Sequence, residues 1–165
     1  MKKLWILLFS VCLLSGCAAK ETFEQVDDQL VMPVSAPVGE LSLSLPQDAA
    51  AEVMEQEDGG KLYLCDGYTV AVQTYPSGDL ENTFYQTSGY AKEDLKLIQT
   101  EVSGITRYDW VWSAAGEGGD QVCRAALLDD GNYHYVVTVM APEETAGALT
   151  ETWNTLLSNL SIRTD

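Results

Sequence analysis

The chain has 165 residues, with 9 Lys+Arg against 25 Asp+Glu and a formal net charge of −16. That balance excludes a nucleic-acid binder, because phosphate contacts need clustered Lys and Arg, and it excludes electrostatic adhesion to anionic lipid. With 46% hydrophobic residues, a chain of this length is able to bury the core of one domain.

Lys2 and Lys3 precede an apolar run from Leu4 to Leu14, and small residues follow. This is the order of a charged n-region, a short h-region and a cleavage site. The run is shorter than the roughly 20 residues that a transmembrane helix needs. Leu14-Ser15-Gly16-Cys17 resembles the lipobox of bacterial lipoproteins. The resemblance implies that residues 1–16 are a signal peptide and that the Cys17 thiol carries a diacylglyceryl group. The chain is then lipid-anchored at the extracytoplasmic face of the cell membrane. An ordinary secretory signal, cut after Gly16 or Ala18, is the alternative. Loss of residues 1–16 takes two lysines and no acid, so the net charge moves to about −18. Such acidity acts as a solubility device.

Residues 17–38 read as a tether, acidic at first and then rich in Pro, Val, Ala and Ser, with no apolar period. Asp27 to Met32 has the makings of a short helical turn. Residues 39–165 suit a single domain. Glu40 to Leu45 alternates as a half-buried strand does, and Pro46 ends it. Asp48 to Glu57 is ambiguous, with Ala49, Ala50, Ala51 and Met54 favouring helix. Lys61 to Cys65 and Tyr68 to Tyr75 are expected strands joined by a turn at Asp66-Gly67. Asp79 caps an expected helix that carries Leu80 and Phe84 on one face and stops at Ser88-Gly89.

Leu95 to Thr100, Ile105 to Ser113, Gln121 to Leu128 and Tyr133 to Met140 are further expected strands, linked by Gly- and Asp-rich turns. Pro142 suits the first position of a last helix, with Glu143 and Glu144 in its first turn. Leu149, Trp153, Leu156, Leu157 and Leu160 form an apolar stripe at helical spacing. The fold class is therefore α+β, an antiparallel sheet (meander) with helices packed on it. The alternating strand ending in Pro, the helix closing on Ser-Gly, the Tyr-rich hairpins and the last helix with Trp and Leu resemble the PsbP-like fold. That resemblance spans residues 39–163 and implies a non-enzymatic accessory protein.

Cys12 leaves with the signal and Cys17 carries lipid, so Cys65 and Cys123 are the one pair left. An exported domain permits a disulfide between them; two buried thiols are the alternative. Cys-x-x-Cys is absent, which argues against redox chemistry. His134, the single histidine, alternates away from Tyr133, Tyr135 and Val137. No Gly-x-Ser-x-Gly elbow accompanies it, and no Cys/His cluster supplies a zinc site, so it reads as structural or solvent-facing. Asp129-Asp130-Gly131-Asn132 lacks the ligand spacing of a calcium loop and suits a hairpin turn. Glu143-Glu144 and Glu55 to Asp58 read as solvated faces.

No catalytic or metal-ligating set is found, and no cofactor is implied beyond the covalent lipid. Tyr108, Trp110 and Trp112 share one strand face, and Tyr133 and Tyr135 share a face of a nearby strand. These five are core aromatics or, in part, a binding platform. The function expected is that of a non-catalytic binding or accessory module, held at the membrane beside an unidentified envelope protein or ligand. The alternatives are an unrecognised envelope hydrolase and a structural surface protein without a specific ligand.

Overall fold

Residues Tyr133–Pro142 carry apolar side chains on both alternating registers, and all but three are buried. A strand of that kind needs cover on both faces. It forms the centre of a seven-stranded, wholly antiparallel sheet. The structure, a computed structural model, describes residues 38–45, 53–55, 60–116 and 118–163. They fall in a compact unit spanning residues 34–165. Leu14 to Cys17, the tether up to residue 37 and the turn expected at 27–32 lie outside the described residues.

The strands are β1 (Glu40–Ser42), β2 (Val53–Glu55), β3 (Lys61–Cys65), β4 (Tyr68–Pro76), β5 (Ile98–Val102), β6 (Ile105–Gly116), β7 (Gly119–Asp129), β8 (Tyr133–Pro142) and β9 (Ser161–Arg163). The helices are α1 (Leu80–Ser88), α2 (Glu143–Ala146) and α3 (Thr150–Ser158). The sheet order is β2-β3-β4-β8-β7-β6-β5, and β1 pairs with β9 in a separate ribbon. The expected meander is thus two meanders. β2-β3-β4 runs inward, the chain crosses by way of α1 to the far edge, and β5 to β8 returns to pair with β4. Val53–Glu55 is a strand where alanines favoured a helix. Its partner β3 decides the conformation, because three residues carry little intrinsic preference.

Local chemistry sets the ends of α1. The Asp79 carboxylate accepts from the Asn82 N–H at 2.9 Å, satisfying one of the orphan donors of the first turn. Gly89 adopts φ 77° and its N–H bonds to the Tyr85 carbonyl, closing the helix. The helix expected from Pro142 onward is divided instead. Pro142 ends β8 and caps the four-residue α2, a 3-10 turn occupies Gly147–Leu149, and α3 follows. Gly147 weakens helix at the break.

Two cores lie on opposite faces of the sheet. On one, Trp153, Leu156 and Leu157 of α3 pack on Tyr68, Val70, Ala126, Val137 and Val139, with Leu41, Leu43 and Leu45 alongside. On the other, Phe84 of α1 packs on Trp110, Trp112, Cys123, Ala125, Leu127 and Val136. Leu156 is fully enclosed. Leu156→Ala is expected to cost about 2–5 kcal/mol by urea denaturation, because the packed layers cannot close the cavity. Tyr85→Ala, on the exposed side of α1, is expected to change stability by less than about 0.5 kcal/mol.

Candidate functional site

The sheet does not bring the five candidate aromatics together. Trp110 faces Ala125, and Ala125 faces Thr138, so the even-numbered residues of β6 and β8 share the α1 side. Tyr133 and Tyr135 therefore lie on the opposite, α3 side. Trp110 is 2% exposed and Trp112 and Tyr135 are also buried. Phe84 meets Tyr108 and Trp110 edge-on, at 5.6 and 5.0 Å between ring centroids. Trp110 and Trp112 stack at 6.0 Å. Tyr108, Trp110 and Trp112 are thus the floor beneath α1, and no common exposed platform exists.

Tyr135 instead fixes the entry of the chain into the domain. Its hydroxyl accepts from the Gly39 N–H at 2.8 Å and donates to Asp130 Oδ2 at 3.2 Å. Burial pushes its pKa upward. A side chain at Gly39 would meet Ile162 at 2.7 Å, so glycine permits this close approach. Asp130 Oδ1 accepts from the Asn132 and Tyr133 N–H groups, and Asp129 Oδ1 from that of Gly131. These carboxylates build the hairpin turn.

The disulfide expectation is overturned. Neither Cys65 nor Cys123 is disulfide-bonded. Cys65 packs in the α3-side core and Cys123 in the α1-side core. β4 and β8 stand between their strands, which puts them about 14 Å apart at the usual strand spacing. Bridging needs Cα atoms within about 7 Å. Burial raises the Cys123 pKa to about 11, so the thiol stays protonated at neutral pH.

His134 is 2% exposed and lies on the α1 side, in register with Tyr75 and Asp129. Its Nδ1 is 2.9 Å from Thr83 Oγ1, and that hydroxyl donates to the Asp79 carbonyl. Nε2 is 3.8 Å from Asp129 Oδ2. Burial lowers the His134 pKa, outweighing the opposing pull of Asp129, Asp130 and Asp79. The arrangement ties α1 to the sheet and offers no reachable base.

The accessible concave surface lies elsewhere. α3 covers the central strands but leaves the β5–β6 end of its face open. Ile98 is 65% and Val111 54% exposed there. One hollow of about 390 Å³ is lined by Lys96, Ile98, Asp109, Val111 and Arg124. A second, of about 320 Å³, is lined by Val111, Val122, Arg124, Glu143, Ala146, Thr150 and Trp153. Val111 and Arg124 line both, so the two form one shallow groove from the sheet edge to α3. Arg107 holds Asp109 in a two-point ion pair at 2.7 Å. Arg124 donates to Asn154 Oδ1 at 2.5 Å. The Trp153 indole N–H is buried and makes no hydrogen bond among the described residues. Sequence reading missed this groove, although the sign was present: Val111 is an apolar residue on the register of Arg107, Asp109 and Ser113. A further cleft of about 380 Å³ lies between β1 and β3–β4, with Glu40, Lys61 and Arg163 at its rim.

The two cysteines differ in accessibility. Cys65 is expected to react with a thiol reagent in the folded protein, and Cys123 only after unfolding without reductant, as read by mass spectrometry of the labelled peptides. The His134 pKa is depressed below the unfolded value of 6.5, so the unfolded chain binds the extra proton. The stability His134 contributes is complete above pH 6.5 and is lost as pH falls through the lower folded pKa. The stability gap between the wild type and His134→Gln is expected to shrink on going from pH 7.5 to pH 5. Comparing the two proteins cancels the background of the carboxylates.

No protein-family model matches the sequence, and no curated protein matches it. Solved structures do resemble the fold. A Bacteroides thetaiotaomicron protein matches 76% of this chain at 12% identity and a TM-score of 0.51, and this chain spans 46% of that one. The Saccharomyces cerevisiae Ran-binding protein Mog1p matches 74% of this chain and 89% of its own, at 12% identity and a TM-score of 0.50. Cyanobacterial PsbP from Synechocystis matches 82% of this chain and 99% of its own, at 11% identity and a TM-score of 0.44. At such identities the first two show the fold alone, and that fold is the α+β arrangement of helices on an antiparallel sheet.

Proposed function

We propose that the protein is a lipid-anchored, extracytoplasmic binding module without catalytic chemistry, and that it docks a protein partner in the groove between β5–β6 and α3. The observation that carries this reading is the pair of exposed apolar residues, Ile98 and Val111, set beside Arg124 at the end of the sheet face that α3 leaves uncovered. Apolar contact area with a few fixed polar groups is the usual composition of an interface. Lys96 and Arg124 line this groove together with Asp109 and Glu143, so its charges balance and the occupant is recognised by apolar contact, as an apolar segment of the partner protein. A non-catalytic role is supported by the burial of His134 and Cys123 and by the engagement of Asp109 with Arg107.

The anchor is Cys17, on the sequence resemblance to a lipobox. The lipid places the groove near membrane-associated partners and raises its effective concentration there. No helix among the described residues is long and apolar enough to cross a membrane.

The reading is tested by affinity capture of the full-length protein from its own membranes. Val111→Asp is expected to lose the partner while the protein stays in the membrane fraction, because it puts a charge into the apolar floor. Cys17→Ala is expected to move the protein to the soluble fraction. A partner retained by Val111→Asp overturns the groove assignment, and membrane retention of Cys17→Ala overturns the anchor.

A further inference from the structure

Strand β5 forms one edge of the seven-stranded sheet, and all five of its residues are exposed. Its turn to β6 fixes which backbone groups are free. Ser103 and Gly104 have φ of 54° and 80°, the signature of a two-residue type I′ hairpin. Val102 and Ile105 close that hairpin and exchange both hydrogen bonds across it. The alternation of an antiparallel ladder then turns Val102, Thr100 and Ile98 toward β6. The N–H and C=O groups of Gln99 and Glu101 point outward, and nothing among the described residues pairs with them. Sheet edges are ordinarily guarded by Pro, Lys, a bulge or shortness. β2, at the other edge, has three residues. β5 is longer and has no Pro, Lys or bulge; its single charged side chain is Glu101.

The sequence of β5 is chemically symmetric about its centre: Ile98-Gln99-Thr100-Glu101-Val102. We infer that two copies of this chain associate edge to edge through β5, antiparallel, about a two-fold axis at Thr100. In that register Ile98 lies opposite Val102 of the second copy, Gln99 opposite Glu101, and Thr100 opposite Thr100. The two Gln99–Glu101 pairs are the hydrogen-bonded ones, so every outward backbone group of the strand gains a partner. The glutamine amide donates to the facing carboxylate, and the two glutamates avoid standing directly opposite each other, where like charges repel. Ile98 and Val102, 65% and 53% exposed, cover one another as β-branched cross-strand pairs.

A symmetric interface of this kind is isologous and closed, so it stops at two copies. Val102 of the second copy also lengthens the apolar floor beside Ile98, although the pairing stands whatever the groove holds. Two five-residue strands bury less than the about 1,200 Å² of a standard interface, so association in free solution is weak. It strengthens with salt, which screens the repulsion of two strongly acidic chains over a length of about 8 Å at physiological ionic strength.

Cysteine cross-linking of the full-length protein in its own membranes tests the pairing and its register. Thr100 faces its own copy in a non-hydrogen-bonded pair, with Cα atoms about 4.5 Å apart, inside the range that a disulfide spans. Two copies of residue 98 are about 14 Å apart at the usual rise per residue. With diamide as the oxidant, which takes one hydrogen from each of two thiols, and in a Cys65→Ala background that removes the accessible native thiol, Thr100→Cys is expected to give a disulfide-linked dimer on a non-reducing gel. Ile98→Cys and Val102→Cys are each expected to give none alone and to form the dimer when expressed together. Equal yields from Thr100→Cys and Ile98→Cys, or no dimer from Thr100→Cys, overturn the proposal. Co-purification of two differently tagged copies is a second measurement free of new thiols. It is expected to be lost in Thr100→Lys, which opposes two lysines at the axis, and its persistence there also overturns the proposal.

Discussion

Burial of β8 on both faces is the constraint on which the rest of the molecule depends. Val137 and Val139 face one way and His134 and Val136 the other, all removed from water. A strand with two apolar faces needs a layer on each side and a neighbour along each edge. β4 and β7 supply the edges, α3 one layer and α1 the other. The route of the chain follows from this. To bring a helix to the α1 side, the chain leaves β4, crosses the sheet and begins its second meander at the far edge.

The same constraint decides where chemistry is available. Groups with reactive potential are drawn into the layers. Cys123 is held protonated, His134 is bonded to Thr83, and the tryptophans of β6 lie beneath α1. α3 is a nine-residue helix and does not reach the β5–β6 end of the sheet. The surface left open is therefore set by helix length rather than by any motif. Its exposed Ile98 and Val111 are costly to keep in water.

Polar bonds at the other end of the sheet hold the ribbon and the turn together. Tyr135 links the Gly39 backbone to Asp130, and Asp130 organises the β7–β8 turn. Ser77 bonds across to Asn132 and Gly131, joining the end of β4 to the same turn. The point where the chain enters the domain is thus fixed against the central strand.

Period-two alternation made most strands legible in the sequence, and Asp79 with Ser88-Gly89 delimited α1, because these signals act within a few residues. The α+β class follows from them together with the stripe of α3. The acidity, and the functions it excludes, need only composition. Which face each side chain occupies across the sheet was not legible. That depends on register between strands far apart in the chain, and it separated Tyr135 from Trp110 and Cys65 from Cys123. The break in the last helix at Gly147, the strand at Val53–Glu55 and the open groove at Val111 were likewise decided by tertiary structure. Each depends on what packs against the segment, and a local pattern does not carry that information.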